Sequence, residues 1–392
     1  MSWKKYIVSE LCSDIIDCVN KTAPISVIPT PFYMLRTSDV RNGFINLENL
    51  NCVTEDTFKK WSRRGYLQEG DIVFTREAPL GEVGLVRKAE NYFLGQRLVL
   101  YRANPDVCDN RFLLYWFLNP QKKESIKQRG VGSTVTHLRV PECEAIEVMA
   151  PDLPTQKRIG DILSAYDDLI ENNQKQIKLL EEAAQRLYKE WFVDLRFPGW
   201  ENAEIVDGVP VGWKKIVIGD LLKKIGRTKQ VMTAEYMEKG SIPIIDQSKD
   251  FIAGYTNDIE TIVDIGQPVI VFGDHTRILK FIQFPFAKGA DGTQLIVSND
   301  DCMPQSLFYC SLINVDLSNY HYARHFKYLK AEEILVPNQI IASKFDSFVQ
   351  PIFEQIQRLR DKCIASSEAR DRLLPKLMSG ELEVVSEQLS AC

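Results

Sequence analysis

The sequence of 392 residues lacks an apolar run of the roughly 18 residues that would be needed to cross a lipid bilayer. Its start, with Lys4, Lys5 and Glu10, also lacks the long apolar core of a signal peptide. The 9 cysteines occur singly, without the Cys-x-x-Cys pair that indicates a zinc or redox site. These absences argue against membrane-spanning and disulfide-framework proteins and predict a cytoplasmic globular protein.

Motifs for nucleotide and cofactor chemistry are missing as well. No Gly is followed by Lys, which excludes a P-loop, and the Gly130–Gly132 pair has Val135 where a dinucleotide fingerprint needs its third Gly. No two prolines adjoin, which excludes the Asn/Asp-Pro-Pro-aromatic loop of amino-methyltransferases. Glu-x-Lys is also absent, which excludes the carboxylate-lysine half of a common nuclease metal site. His321 and His325 have the spacing of metal ligands, but surface or hydrogen-bonded histidines are favoured over zinc binding. We expect no catalytic residue, metal or cofactor in this chain.

The charge of the chain constrains any nucleic-acid site. Lys and Arg number 48 against 53 Asp and Glu, so the formal net charge is -5 at pH 7. This balance argues against a protein that coats nucleic acid without selection, because such binding depends on a large cationic surface. A nucleic-acid site on this chain must therefore be a concentrated patch.

The two halves of the sequence repeat the same phrases in the same order. WKKYIVSEL from Trp3 returns as WKKIVIGDL from Trp213, and EVMAP from Glu147 returns as EILVP from Glu333. Between these phrases, short runs rich in Val, Ile, Phe and Tyr alternate with Gly, Pro, Asn and Asp, which predicts strands and turns. We predict an α+β protein with a duplicated strand-rich domain. The predicted divisions are domains 1–150 and 199–337, spacer helices 151–198 and 338–392.

Each strand-rich region is followed by a helical pattern. A heptad series of apolar residues from Gln156 to Phe192 predicts a coiled-coil helix roughly 55 Å long. A rougher series from about Ser343 to Met378 predicts a second, with Pro351 and Pro375 near a helix start, a kink or an end. Antiparallel pairing of the two helices would place the strand-rich domains at opposite ends.

One polar residue interrupts the first heptad seam. Asn173 is either a buried residue that fixes the register of the pair or a solvated residue at a frayed position. The residues predicted to pair the helices are Ile170, Asn173, Ile177, Leu180, Leu187, Trp191, Phe192, Ile352, Ile356, Leu359, Leu373 and Leu377.

The polar residues between the predicted strands are the candidates for binding. FTREAPLG in the first half corresponds to FGDHTRI in the second, and RGVGSTVTHLR corresponds to YARHFK. Arg, Thr, Ser and His beside glycines suit phosphate positioning and base-edge readout, although polar turns have the same composition. Because the scaffold phrases match while the loops differ, the two copies are expected to bind unlike targets. The candidate DNA contacts are Thr75, Arg76, Arg97, Arg129, Ser133, Thr134, Thr136, His137, Arg139, Asp274, His275, Thr276, Arg277, Arg324, His325 and Lys327.

The long segment from LPTQKRIGDIL to KEWFVDLRFPG, the following VPVGWKKIVIGDL and the closing LLPKLMSGEL resemble the specificity subunit of a type I restriction-modification system, over essentially the whole chain. Trp213 and Gly219 match the start of the second recognition domain, and Trp3 matches the first, where Ser9 replaces the Gly. The resemblance implies two target recognition domains, each followed by a conserved helix, with Trp191 and Phe192 as packing or docking residues.

The resemblance also implies a division of labour. The paired helices of this family set the spacing between two half-sites in double-stranded DNA and dock two methyltransferase subunits. Those subunits and motor-nuclease subunits use AdoMet, ATP and Mg2+, and none of these is expected on this chain. The function predicted is therefore reading of a bipartite, asymmetric DNA site for methylation or restriction. Two alternatives stay open, a coiled-coil adaptor whose domains bind proteins and, less favoured, an uncommon lyase or hydrolase.

Overall fold

The computed structural model describes residues 3–130, 136–226, 228–320 and 324–384, which form two compact units. The first unit comprises Met1–Glu171 with Ile364–Cys392, and the second comprises Asn172–Cys363. Within the described residues, no helix is both long enough and apolar enough to cross a membrane. The α+β class predicted from the sequence is confirmed.

The first unit begins with an antiparallel pair, β1 with β11, and contains a four-stranded sheet in the order β2-β10-β7-β8. A smaller sheet has the order β6-β3-β9, with β3 and β9 parallel. The strands are β1 Lys4–Ile7, β2 Cys12–Asp17, β3 Tyr33–Leu35, β4 Val40–Arg41, β5 Phe44–Ile45, β6 Asn51–Cys52, β7 Ile72–Thr75, β8 Val83–Leu85, β9 Tyr92–Leu94, β10 Leu98–Ala103 and β11 Glu147–Ala150. The short helices are α1 Val8–Leu11, α2 Glu55–Trp61, α3 Asn110–Leu118, α4 Pro120–Arg129 and α5 Val140–Glu144.

Helix α3 forms the centre of the first core. Its side chains from Phe112 to Phe117 are all buried, so it is apolar around its whole circumference, as expected for an interior helix. Asp109 caps its start, accepting hydrogen bonds of 3.0 Å from the N–H groups of Arg111 and Phe112. The ring of Phe117 packs against Phe74 of β7, at a centroid distance of 5.5 Å. The helix thereby fixes the strand that leads to the polar loops.

The second unit repeats this arrangement. The pair β14 with β22 corresponds to β1 with β11, and the sheet β19-β18-β21 corresponds to β8-β7-β10. The parallel pair β15 with β20 corresponds to β3 with β9. The strands are β12 Ile205–Val206, β13 Val209–Pro210, β14 Lys214–Val217, β15 Ile242–Ile245, β16 Gly254–Thr256, β17 Ile262–Val263, β18 Val269–Gly273, β19 Leu279–Ile282, β20 Phe286–Lys288, β21 Thr293–Ile296 and β22 Glu333–Val336. The duplication inferred from the repeated phrases is therefore present in the strand pairing.

Two long helices contribute to both units. They are α6 Leu153–Tyr188, which ends in a π-helical turn at Lys189–Val193, and α9 Gln339–Ser379; the short helices between them are α7 Gln305–Ile313 and α8 His325–Leu329. Pro351 lies in the interior of α9, so a helix start and a helix end are excluded for it and the predicted kink stays a prediction, whereas Pro375 falls in the last turns. Helix α9 is assigned as continuous through Pro351, which carries no N–H for the backbone ladder.

Within the first unit, α6 and α9 run antiparallel. Ile159 and Leu163 of α6 share a core with Leu374 and Leu377 of α9. Arg370 contacts the carboxylate of Asp167, whose side chain is 2% exposed. These contacts tie the last part of α9 to the first part of α6.

Within the second unit, the other parts of the same helices also pair antiparallel. Arg360 Nη2 of α9 lies 2.7 Å from a carboxylate oxygen of Glu181. Phe345 near the start of α9 meets Trp191 and Phe192, with ring centroids 5.7 and 5.1 Å apart. Because each core contains a part of both helices, each unit fixes the register of the pair independently.

Candidate nucleic-acid interface

Three segments that are distant in the sequence meet at one corner of the first unit. The N–H of Arg76, just after β7, donates to the carbonyl of Arg97 at 2.8 Å. The carbonyl of Arg76 accepts from the N–H of Leu138 at 3.0 Å, and Glu77 forms a β-bridge with His137. We call residues 75–77, 97 and 136–139 the first corner. It brings together candidates that the sequence separates by up to about 60 residues.

The second unit has the same corner, built by the same hydrogen bonds. The N–H of Asp274, just after the body of β18, donates to the carbonyl of Gly292 at 2.7 Å. The carbonyl of Asp274 accepts from the N–H of His325 at 2.8 Å. Arg97 and Gly292 occupy the equivalent place with φ of 71° and 82°, which is the left-handed region that favours glycine. We call residues 273–277, 292 and 324–327 the second corner.

Two candidates of the first corner make hydrogen bonds within the protein, Thr75 fully buried and Arg76 half-buried. Thr75 is 0% exposed, and its hydroxyl donates to the carbonyl of Pro79 at 2.5 Å while accepting from the N–H of Glu82 at 2.9 Å. Arg76 pairs with Asp17 at 3.0 Å and donates to the carbonyl of Leu138 at 3.2 Å. These contacts support the turn, and a role of Thr75 and Arg76 in contacting DNA stays a prediction.

Two candidates of the second corner are also structural. Asp274 is 4% exposed, and its carboxylate accepts a hydrogen bond of 2.8 Å from the N–H of Phe326 at the start of α8. His325 is 4% exposed, and its ring nitrogens lie 3.1 and 3.0 Å from the carbonyl oxygens of Asp274 and Tyr320. Both side chains have hydrogen-bond partners inside the fold, and their role as DNA contacts stays a prediction.

The remaining candidates of the first unit lie at the surface. Arg97 is half exposed, and its Nε lies 3.3 Å from a carboxylate oxygen of Glu77. Thr136 is exposed, His137 is half-buried, and Arg139 is exposed at the start of α5, where its N–H donates to Glu142. Arg129, at the end of α4, is exposed and lies 3.7 Å from Glu147. Ser133 and Thr134 lie outside the described residues.

The second corner presents a different set of exposed groups. The N–H of His275 donates to the side-chain oxygen of Gln247 at 3.1 Å, and the hydroxyl of Thr276 donates to the carbonyl of Gln247 at 2.7 Å. The guanidinium of Arg277, at φ of 61°, donates to the carbonyl oxygens of Leu317 and Tyr320. Arg324 and Lys327 are exposed as well. The corner therefore offers cationic, imidazole and hydroxyl groups on a fixed backbone.

Sequence analysis missed the residues that hold these groups in place. Glu77 neutralises part of the charge of Arg97, and Gln247 anchors the loop that carries His275 and Thr276. A signal for Gln247 existed, since it follows β15 in the way that the candidates follow their own strands. No such signal marks Asp17, whose pairing with Arg76 depends on the neighbouring strands β2, β10 and β7.

The helix residues predicted to pair are buried or half-buried without exception. Asn173 is 3% exposed, so its interpretation as a buried residue is confirmed and the solvated alternative is wrong. Trp191 and Phe192 are buried against Phe345, and Phe192 also packs on Trp213 at 5.5 Å. They are packing residues of the second core, which leaves them little surface for docking a partner.

The described residues contain no cluster of three or more groups that could hold a metal ion. Of the residues predicted to pair the helices, the first unit contains Ile170, Leu373 and Leu377, and the second contains Asn173, Ile177, Leu180, Leu187, Trp191, Phe192, Ile352, Ile356 and Leu359.

Comparison with known proteins agrees with this architecture. Residues 33–182 match the family described as the type I restriction modification DNA specificity domain. The type I restriction enzyme MjaIX specificity subunit of Methanocaldococcus jannaschii is 28% identical over 359 residues, covering 85% of this chain and 82% of that subunit. The type I restriction enzyme HindI specificity subunit of Haemophilus influenzae is 24% identical over 237 residues, which cover 59% of this chain and 49% of that subunit.

A solved structure shares the fold. The S subunit of a type I restriction-modification system from M. genitalium superposes with a TM-score of 0.57 and 16% identity, covering 96% of each chain. The sequence matches and this likeness of fold extend over both units and both long helices. Over most of its length, the chain is therefore similar to type I restriction-modification DNA specificity subunits.

Proposed function

We propose that this chain reads a bipartite, asymmetric site in double-stranded DNA, with one half read at each corner. The observation that carries the proposal is the pair of equivalent corners, in which the same backbone hydrogen bonds present unlike side chains. Arg97 stands in the first corner where Gly292 stands in the second, and the segment that carries exposed Arg139 in the first corner carries exposed Arg324 and Lys327 in the second. Guanidinium and hydroxyl groups on a rigid frame suit base-edge and phosphate contacts.

The chemistry on the DNA belongs, in this proposal, to other chains. The specificity subunits of this family are not catalytic, and we propose that two modification subunits methylate adenine and that restriction subunits cut the DNA. AdoMet, ATP and Mg2+ are then used by those partners. The length of the two long helices sets the unread gap between the half-sites. With a net charge of -5, the chain alone is expected to bind DNA poorly and to depend on its partners for affinity.

The test uses the chain co-expressed with its modification subunits, and genomic methylation mapping as readout. Arg97→Gly removes the first-corner guanidinium and gives that position the residue of the second corner, without backbone strain at its positive φ. Arg324→Ala removes a cation of the second corner. Each variant is expected to relax or weaken one half of the methylated site, by roughly 5- to 150-fold in affinity, and to leave the other half unchanged.

A matched control is Arg186→Ala, which removes an 83% exposed arginine of α6 that pairs with Glu182 on the same helix. It is expected to leave both half-sites intact. Alteration of both halves by either corner variant would contradict the assignment of one half to each corner. Salt-independent binding, or binding without preference for the mapped site, would favour the protein-adaptor alternative, because phosphate contacts release counterions.

A further inference from the structure

An apolar loop projects from the first unit between Pro24 and Pro31. Val27 at its tip is 100% exposed, Ile28 is 75% exposed and Ile25 is 57% exposed. Three large aliphatic side chains so close together are unusual on a free surface, where apolar residues are usually scattered singly. We call residues 24–31 the apolar loop.

The apolar loop is held in one conformation by backbone contacts at its base and within it. The N–H of Ser26 donates to the carbonyl of Cys52 at 2.8 Å, and its hydroxyl donates to the carbonyl of Ile28 at 2.7 Å. The hydroxyl of Thr30 donates to the carbonyl of Val53 at 2.5 Å. Pro24, Pro29 and Pro31 restrict the backbone further. The tip is thus presented in a fixed form, which lowers the entropy lost when it binds.

The loop starts beside the first corner. The hydroxyl of Thr22 donates to the side-chain oxygen of Gln96 at 3.1 Å, and Gln96 precedes the corner residue Arg97. On its other side, the indole N–H of Trp61 donates to the carbonyl of Lys21 at 3.0 Å. That contact brings the basic last turn of α2, with Lys59 and Lys60, to the base of the loop. The first corner and the apolar loop therefore belong to one surface.

The charge of this surface favours a polyanion such as DNA over a basic or neutral partner. Residues 18–35 contain no Asp or Glu and carry Lys21, in a chain with 53 acidic residues. Lys21 is exposed, and so are Lys60 and Arg63 in and after the last turn of α2. A protruding apolar tip between cations matches the major groove, where phosphates flank the base edges and thymine presents its 5-methyl group.

We propose that the apolar loop enters the major groove of one half-site and that Val27 and Ile28 contact thymine 5-methyl groups there. This inference rests on the proposed function, because it adds a contact to the half-site read at the first corner. It makes the first unit a reader of thymine methyl groups as well as of hydrogen-bonding edges. The counterpart segment of the second unit has a different sequence, so the sensitivity to methyl groups is confined to one half.

The test measures binding of the full chain, assembled with its modification subunits, to duplexes that carry its mapped site. Each thymine in both half-sites is replaced singly by deoxyuridine, which lacks the methyl group and keeps the base pair. At least one replacement is expected to weaken binding about fourfold, the value of one buried methyl group, and every sensitive thymine is expected to lie in the same half.

The variant Val27→Ser/Ile28→Ser is expected to bind the unmodified site more weakly and to lose the difference between thymine and deoxyuridine. The matched control is Val107→Ser, at an aliphatic residue of the same unit that is 40% exposed and lies beside Gln156 at the start of α6. The control is expected to keep both the affinity and the sensitivity to deoxyuridine. Because all three side chains are at the surface, these variants are expected to fold.

Several results would overturn the inference while leaving the proposed function in place. They are specific binding of the wild type with no sensitivity to deoxyuridine, sensitivity in both halves, and retention of the sensitivity by the double variant. Loss of co-purification with the modification subunits in the double variant alone would assign the loop to a protein contact and reject DNA as its occupant. A failure of the proposed function is distinct, since the wild-type complex would then show no preference for its mapped site.

Discussion

Removal of the Arg370 side chain from α9 is expected to destabilise the first unit strongly. Its guanidinium contacts Asp167, whose other partner is the hydroxyl of Tyr115 at 2.6 Å. Burial and the nearby carboxylate of Asp167 raise the pKa of Tyr115, so this hydroxyl stays protonated and donates. In Arg370→Ala, the Asp167 carboxylate remains buried with one neutral donor.

The magnitude follows from the cost of an unpaired buried charge. Breaking such a pair by removing one partner costs about 3–5 kcal/mol, and the side chains of Arg370 and Asp167 are 16% and 2% exposed. With a urea dependence of about 3 kcal/mol per M, the unfolding midpoint of the first unit is expected to fall by about 1–2 M. The matched control is Arg372→Ala, at an 80% exposed residue that pairs with Glu368, for which less than about 1 kcal/mol is expected.

Two buried cysteines give an assay that separates the units. Burial raises the pKa of Cys143 in the first unit to about 12, and it also raises the pKa of Cys310 in the second. Both thiols are therefore expected to resist iodoacetamide in the folded state and to react when their unit opens. Brief alkylation across a urea series, read by mass spectrometry, then reports each unit separately.

In Arg370→Ala, the midpoint for Cys143 is expected to shift while that for Cys310 shifts much less. The triple variant Tyr115→Phe/Asp167→Leu/Arg370→Leu removes the buried hydroxyl, carboxylate and guanidinium together and is expected to recover most of the lost stability, because no charge stays buried alone. Equal midpoints for Arg370→Ala and Arg372→Ala would refute the reasoning. So would a triple variant that is as unstable as Arg370→Ala.

Two further substitutions test how each corner is supported. In Gly160→Ala, the added Cβ would come within 2.7 Å of Asp109 Oδ1 and 3.2 Å of Arg111 Cβ. This clash is expected to destabilise the first unit and to make the alkylation of Cys143 easier. If helix propensity alone decided the result, the variant would gain roughly 1 kcal/mol and Cys143 would be better protected. In Asp274→Ala, α8 loses the carboxylate that accepts from the N–H of Phe326, which is expected to lower the stability of the second unit by about 1–2 kcal/mol. In methylation maps, only the half-site read by the second corner is expected to lose sequence preference. Asp274→Asn keeps an acceptor oxygen and is expected to lose less, and equal losses in the two variants would contradict the capping role.

The sequence was sufficient to predict the repeated scaffold and the helices. The phrases from Trp3 and Trp213 lead into the corresponding pairs β1 with β11 and β14 with β22, because a strand needs the same apolar alternation wherever it occurs. The heptad seam left burial and solvation open for Asn173, and the structure shows it buried, since a seam position faces the partner helix regardless of its residue type. Periodicity thus predicts which face of an element is buried.

Polar residues at strand ends were harder to interpret. Arg76 and Arg97 have the same charge and stand beside equally apolar strands, yet Arg76 turns inward to Asp17 and Arg97 stays half exposed. The direction depends on a partner from β2 that no local pattern indicates. Conversely, the Val and Ile of the apolar loop have the composition of a strand but lie at the surface. Residue composition gives the propensity of a segment to form a strand, whereas contacts between segments distant in the sequence decide whether its side chains are exposed.

The division of both long helices between the units makes the unread gap testable. Helix α6 passes from the first unit to the second after Glu171, and α9 passes from the second to the first after Cys363. Seven residues inserted at both points preserve the heptad phase and leave the Asp167–Arg370 and Glu181–Arg360 pairs within their own units. The added length of about 10 Å corresponds to about three base pairs of duplex.

The doubly inserted variant is therefore expected to fold and to recognise the same base sequence in both half-sites. In a series of duplexes whose gap between the half-sites grows by one base pair at a time, it is expected to prefer a longer gap than the wild type. An insertion in α6 alone displaces one helix against the other and must break either the Asp167 or the Glu181 pairing, so early alkylation of Cys143 or Cys310 is expected. If the double insertion leaves the preferred gap unchanged while both thiols stay protected, the helices do not set the gap. A change in the base sequence of either half-site would mean that the long helices take part in recognising the DNA sequence.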